Sequence, residues 1–222
     1  MIRLAVEDNT IEMLEDSESS SLSELRQCVE ETREHEGLKT ADCAGCGQCC
    51  FYENLPILGY DISPLAENLG VTVKQLFEKW VSKPEPPNID ERRIAIRDLE
   101  RQQKVSSQVA ALLYEYNQAE PIRFAKSEAG SCVLLNDNLC TIYTIRPYTC
   151  ALYVCNMGEK LSVLQEQIVR QGVWHSYFLM EWVPEQDISH NPFLRHNSYD
   201  DLLISEFDFD LESALESLFF YF

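Results

Sequence analysis

The chain predicts a mostly helical α+β fold with one small β-hairpin beside a cysteine-rich loop. Three observations carry that expectation. Apolar residues recur at helical spacing through much of the 222 residues. Four of the nine cysteines fall within eight residues, CAGCGQCC at 43–50. Two short extended runs, CVLL and LCTIY, flank Asn136-Asp137-Asn138 and carry two further thiols.

Composition narrows the function classes. With 45 % hydrophobic and 25 % charged residues, the chain suits one domain with elaborations. Its 37 acidic residues against 18 basic give a formal net charge of −19. That balance repels phosphate backbones and anionic lipid, so neither nucleic acid nor membrane is an expected partner. No apolar run approaches the ~18 residues of a membrane span. The start, MIRLAVEDNTIEMLEDSES, lacks the positive and apolar regions of a signal peptide, and a cytoplasmic location is expected. In a reducing compartment, dense cysteine usage points to metal or redox chemistry rather than a disulfide framework. An odd cysteine count also suits complete pairing poorly.

In chain order, residues 1–21 are acidic and serine-rich and read as a loosely ordered arm. LSELRQCVEETREHEG then reads as a helix closed by Gly37, with Cys28 as a solitary thiol. After the cysteine loop, Ser63 is expected as N-cap, Pro64 at the first helical position and Gly70 as the stop. Thr72 and Gln75 announce a capping box for TVKQLFEKWV, whose Val73, Leu76, Phe77, Trp80 and Val81 share one face. A proline-rich break at 82–90 leads to a helix from Asp90 to about Asn117. Arg92, Arg93, Arg97, Arg101 and Lys104 make its first half basic, read as a solvated face with salt bridges.

Arg146-Pro147 ends the hairpin and starts a helix that holds Cys150 in its first turn, where the dipole favours a thiolate. Glu159–Gln171 is an amphipathic helix, and VWHSYFLMEWV after it is a buried helix or strand. His175 within it reads as a hydrogen-bonded core histidine, and His190 and His196 as exposed loop residues. DLESALESLFFYF closes the chain as a helix with Leu211, Ala214, Leu215, Leu218, Phe219 and Phe222 aligned. It is expected to dock on the core, and its stripe offers a face to a protein partner. The resulting organisation is an arm at 1–21, a domain at 22–183 with a helical insertion at about 85–129, and a C-terminal extension at 184–222.

The cysteine spacing carries the chemistry. Two residues between cysteines, with Gly45 and Gly47 free to take unusual angles, let a short loop wrap one metal and aim amides at its sulfurs. Cys43, Cys46 and Cys49 repeat the C-x2-C-x2-C start of iron–sulfur sites, while the first step alone resembles a zinc knuckle. Cys50 breaks both templates. Adjacent side chains diverge, so Cys49 and Cys50 are expected to serve different metals, or one caps the site from outside. The missing ligands must come from Cys132, Cys140, Cys150 and, on spacing alone, Cys155.

The ordered set Cys43-x2-Cys46-x2-Cys49-Cys50, Cys132…Cys140-x-Ile142-Tyr143 and Arg146-Pro147-x2-Cys150 resembles the YkgJ-like cysteine-cluster family, the zinc- or iron-chelating CxxCxxCC domain. DISPLAENLGVTVKQLFEKWV is similar to the segment that follows the cluster there. The resemblance covers roughly residues 40–82 and 130–155. It implies metal ligation by Cys43, Cys46, Cys49, Cys50, Cys132, Cys140 and Cys150. Ala151 stands where an arginine commonly follows the last motif cysteine. The family extends distantly to a domain of flagellin lysine-N-methylase, but the chain has no glycine-rich fingerprint for a methyl donor.

The cysteine loop and hairpin are thus expected to close around one or two metal centres. The leading expectation is an iron–sulfur cluster, 4Fe–4S favoured, or an iron centre, with redox or methyltransfer-linked chemistry. The alternative is a structural zinc module that presents its helices for protein binding. Both metals accept thiolates.

Overall fold

A computed structural model of the chain describes residues 2–8, 10–15, 19–35, 48–51, 55–82, 84–118, 120–154 and 156–207. Helices dominate, and strands pair only two by two, which is the expected mostly helical α+β class.

Strands β1 (Arg3–Glu7) and β2 (Thr10–Glu15) form an antiparallel hairpin where a loosely ordered arm was expected. Composition alone suggested disorder, yet Ile11 and Met13 alternate inward and are buried, leaving Leu14 and Glu15 exposed. The Ile11 amide donates to Asn156 and its carbonyl accepts from Gly158, at 3.1 and 2.9 Å. A Cβ at Gly158 would stand 1.8 Å from the Glu12 carboxylate, so a larger residue there would push that side chain aside.

Helix α1 (Leu22–His35) opens with a reciprocal cap between Ser21 and Glu24 and buries Leu22, Leu25 and Val29 as a stripe. The short helix α2 (Gln48–Phe51) ends the cysteine loop. Helix α3 (Gly59–Asn68) begins a full turn before the expected start, with Leu58 at its N-cap and Pro64 inside it. The Asp61 carboxylate supplies the cap that Ser63 was expected to give. Gly70 ends it as expected, at φ +66. Helix α4 (Val73–Lys79) has the predicted Thr72–Gln75 capping box. Leu76 is its buried anchor, whereas Val73 is exposed.

β3 (Val81–Ser82) pairs with β4 (Arg123–Phe124) across two helices, α5 (Ile89–Gln103) and α6 (Ser107–Gln118). One continuous helix was expected there. The chain instead turns at Lys104, which takes a left-handed φ of +54 and lets α6 fold back on α5. The reversal turns Arg92 from a solvated residue into a buried one, ion-paired with Glu115. Arg93 binds Asp187 at 2.7 Å, and His190 reaches Glu115 at 3.1 Å.

β5 (Leu135–Asn136) and β6 (Leu139–Cys140) form the predicted hairpin. Asp137 and Asn138 both have positive φ, +47 and +61, the pattern of a two-residue type I′ turn that these residue types tolerate. A 3-10 turn at Tyr143–Ile145 leads into α7 (Tyr148–Leu152), and α8 (Glu159–Leu179) runs unbroken through the stretch whose periodicity left helix and strand open. Three further 3-10 turns cover α8 before Phe207. No helix among the described residues is long and apolar enough to cross a membrane. The expected C-terminal helix lies outside the described residues.

Two apolar clusters result. The larger gathers α1, β2, α7, α8 and the C-terminal turns around Trp174, Tyr177, Tyr148 and Phe193. The smaller joins α3, α4, β4 and the β5–β6 hairpin around Leu65, Leu76, Ile122 and Phe124. Asp61 sits where they meet. Its carboxylate accepts the Leu58 amide at 3.2 Å and the Tyr148 amide at 3.0 Å, capping α3 and α7 together.

Burial raises the Asp61 carboxyl to about 6. Its unfolded value is about 3.9, so the folded state holds the proton more tightly. The contribution to stability is therefore full below about pH 4 and is lost as pH rises through about 6, a difference of about 3 kcal/mol. His175, drawn down to about 4 by burial, works in the opposite sense over an overlapping range. An Asp61→Asn variant separates the two. Its deficit in urea-unfolding free energy relative to the parent should narrow by about 2–3 kcal/mol between about pH 4 and pH 7. A deficit that stays constant with pH refutes the assignment.

Candidate metal centre

Two segments about 80 residues apart in sequence meet through their backbones. The Cys132 amide donates to the Cys50 carbonyl at 2.7 Å, and Lys126 Nζ reaches the same oxygen at 3.4 Å. Lys126 and Cys132 also form an isolated antiparallel bridge, so the hairpin's base lies against the end of the cysteine loop. Cys140, on β6, pairs in register with Leu135. Cys132 belongs to the smaller apolar cluster, with Ile57, Leu134 and Ile142, and the half-buried Cys50 and Cys140 pack against it.

Cys150 occupies the third residue of α7 and is held from both ends of that helix. Asp61 binds the first amide, and Arg33 donates to the carbonyls of Ala151 and Tyr153, each at 2.9 Å. The Thr149 hydroxyl donates to the Pro56 carbonyl, tying α7 to the strand-like entry of α3. Cys132 is buried, whereas Cys49, Cys50, Cys140 and Cys150 are half-buried. Among the described residues no three His, Cys, Asp or Glu side chains close on a point where an ion could sit. Cys43, Cys46 and Cys155 lie outside the described residues.

The thiols sense one another. The Cys50 thiol hydrogen-bonds to Cys49 and draws the Cys49 thiol below the ordinary range, while the same bond and burial push Cys50 up. Cys49 and Cys50 are consecutive residues of α2. Burial raises Cys132 and Cys140. Cys150 is pushed up as well, by burial first and then by Cys49 and Asp61. Burial, the largest influence on Cys150, outweighs the depression expected from the helix dipole.

Two cations oppose this trend. Lys126 lowers Cys132, and Arg146 lowers both Cys49 and Cys140. Arg146 is 9 % exposed, binds Glu30 at 3.0 Å and lies 4.1 Å over the Tyr143 ring. Neither cation was singled out from sequence as part of the site. The Arg146-Pro147 pair carried the signal, but the proline accounted for the helix start and the arginine was passed over. The reach of Asp61 and Arg33 to α7 gives no local signal, because those partners lie 87 and 118 residues away.

The other candidate donors sit elsewhere. His175 is buried, but its Nδ1 has no hydrogen-bond partner and its ring packs among Tyr60, Phe178 and Phe193. The expected hydrogen-bonded core histidine is thus a packed aromatic. His190 and His196 are engaged with Glu115 and Glu206 rather than free on loops. Cys28 lies on α1, its sulfur 4.0 Å from the Ile2 carbonyl.

The donor set is chemically uniform. Half-buried thiols, converging from two halves of the chain with cations beside them, suit a thiophilic ion that displaces their protons. No curated protein and no solved structure matches the chain. A family model does, over residues 42–168, a span that begins one residue before Cys43, includes the hairpin and Cys155, and ends within α8. More than half of the chain is matched, and it belongs to the CxxCxxCC family, whose description is "Putative zinc- or iron-chelating domain".

Proposed function

We propose that this protein holds an iron–sulfur or iron centre, with a 4Fe–4S cluster favoured. Cys43, Cys46 and Cys49 supply three thiolates and Cys150 the fourth. Cys50, Cys132 and Cys140 then hold a second centre or an open position beside the first, with Cys155 an additional donor. The observation that carries the reading is the Cys132 to Cys50 backbone bond, which makes one neighbourhood of two thiol groups. The packing of Cys50 and Cys140 against the apolar cluster that contains Cys132 supports their grouping.

When bound, such a cluster supplies reversible one-electron chemistry. The chain's own residues do the rest. Asp61 and Arg33 fix the position of Cys150 by holding α7 at both ends. The apolar wall around Cys132 limits water at the sulfurs, and Lys126 places positive charge beside them.

The second reading is a structural zinc module, supported by the Cys43-x2-Cys46 knuckle and by a family description that names zinc as well as iron. Its partner would engage the apolar stripe of residues 211–222. Anaerobic purification separates the readings. An iron–sulfur protein is brown, absorbs broadly in the visible, contains inorganic sulfide with iron, and bleaches with dithionite. Colourless protein with stoichiometric zinc and no sulfide replaces the first reading by the second.

Either metal links loading to folding, since the site exists only when the loop meets the hairpin. Cys140→Ser should lower metal content and reduce unfolding free energy by at least about 2 kcal/mol, whereas Cys28→Ser should keep its metal and change stability by less than about 1 kcal/mol. Metal analysis and urea unfolding of both variants check this. Full stability in a metal-depleted Cys140→Ser protein contradicts the linkage.

A further inference from the structure

A cleft of about 470 Å³ is bounded by the start of α3, the end of α8 and the 3-10 turn at Pro192–Arg195. That volume falls within the ~300–1,000 Å³ of ordinary small-molecule sites. Tyr60, His175, Phe178, Leu179, Phe193 and Leu194 line it, and no cysteine does. Lysine, arginine, aspartate and glutamate are also missing from the described lining, so a charged occupant would find no counter-ion there. The exceptional group is His175. Its side chain is 4 % exposed, and Nδ1 is buried with no hydrogen-bond partner. A Cβ at Gly59 would stand 2.5 Å from that nitrogen, so Nδ1 lies against a residue that itself lines the cleft. Phe178 and Phe193 stack on the imidazole at interplanar angles of 24° and 23°, and Tyr60 meets it at 71°.

A buried polar atom without a partner costs free energy, and native structures retain few of them. Ser63 and Asn197 line the same cleft, yet neither donates to this nitrogen. Burial draws His175 down to about 4, so near neutral pH the ring is uncharged and one of its nitrogens is an acceptor. The neighbouring Tyr60 hydroxyl has a single proton for two carbonyls, those of Phe193 at 2.6 Å and His196 at 2.8 Å. Acceptors therefore outnumber donors around Tyr60 and His175. We propose that this cleft binds a small uncharged aromatic molecule with one hydrogen-bond donor, whose proton His175 Nδ1 accepts. Aromatic walls hold a planar ring through face and edge contacts. The donor, taken out of water, finds its partner in the imidazole, and both groups are satisfied only in the complex. The site shares no residue with the proposed metal ligands and stands apart from that reading.

Indole is the probe, being flat, uncharged and equipped with one N–H, and 1-methylindole has the same rings without that donor. Equilibrium dialysis against the full-length protein, as purified, measures both. The parent should bind indole about tenfold more tightly than 1-methylindole. His175→Phe keeps an aromatic ring and removes the nitrogen. It should bind indole about tenfold more weakly than the parent and should no longer tell the two probes apart. Leu179 is 49 % exposed, and Leu179→Trp should narrow the cleft and weaken both probes about tenfold. A parent that binds no indole up to its solubility limit overturns the proposal, as does equal affinity of the parent for the two probes. A His175→Phe protein with a lower melting temperature but parental indole affinity marks a packing role and overturns it too. If His175→Phe does not fold, Leu179→Trp decides together with the parent's preference between the probes, and parental affinity in that variant places indole elsewhere and refutes the site.

Discussion

Asp61 accepts the amide hydrogens of Leu58 and Tyr148 with its two carboxylate oxygens, and so fixes where two helices begin. The first amides of a helix have no partner within it, and at this junction the Asp61 carboxylate supplies one. Helix α7 is too short to hold itself, and Arg33 braces its other end. Cys150 therefore owes its position to side chains on α3 and α1 rather than to its own helix. The arrangement carries an electrostatic cost, since Asp61 is buried and also raises the Cys150 thiol. A carboxylate that braces the scaffold thereby makes one donor harder to ionise.

The two apolar clusters divide the labour. The larger one, built on α8, supplies the bulk of the hydrophobic burial and includes Leu58 and Tyr148, the residues whose amides Asp61 holds. The smaller one contains Cys132 and touches Cys50 and Cys140, so the thiols form part of its boundary. Packing there is set by residues that would also ligate. The segment Ile57–Leu58 places one side chain in each cluster and transmits the position of one to the other.

What sequence made legible was local. Thr72 with Gln75, Gly70, and the turn at Asp137-Asn138 each encode their geometry within a few residues, and the structure follows them. The reading failed where a competing contact, local or distant, overrode the expected rule. Pro64 looked like a helix start, but the Asp61 cap moves the start to Gly59 and the helix tolerates the proline. Lys104 carries no turn signature, so the reversal between α5 and α6 is invisible until Arg92 and Glu115 are seen to meet. The acidic N-terminal stretch hid a hairpin, because Ile11 and Met13 are two apolar positions among carboxylates. The thiol spacing announced a site. The cations beside it and the reach of the two braces to α7 depend on tertiary contact and left no pattern in the chain.

The bond between Cys50 and Cys132 also has a consequence in time. A ribosome adding about 5–20 residues per second needs several seconds to cover the stretch between them. Throughout that interval the loop thiols have emerged while the hairpin that shelters them has not yet been made. Any loop thiol that ionises in that interval is open to oxidants, because the thiolate is the form they attack. The newborn chain thus passes through a vulnerable period that the finished protein never revisits. Its length is set by the number of codons between loop and hairpin, so the α5–α6 segment acts as a delay as well as a structural element.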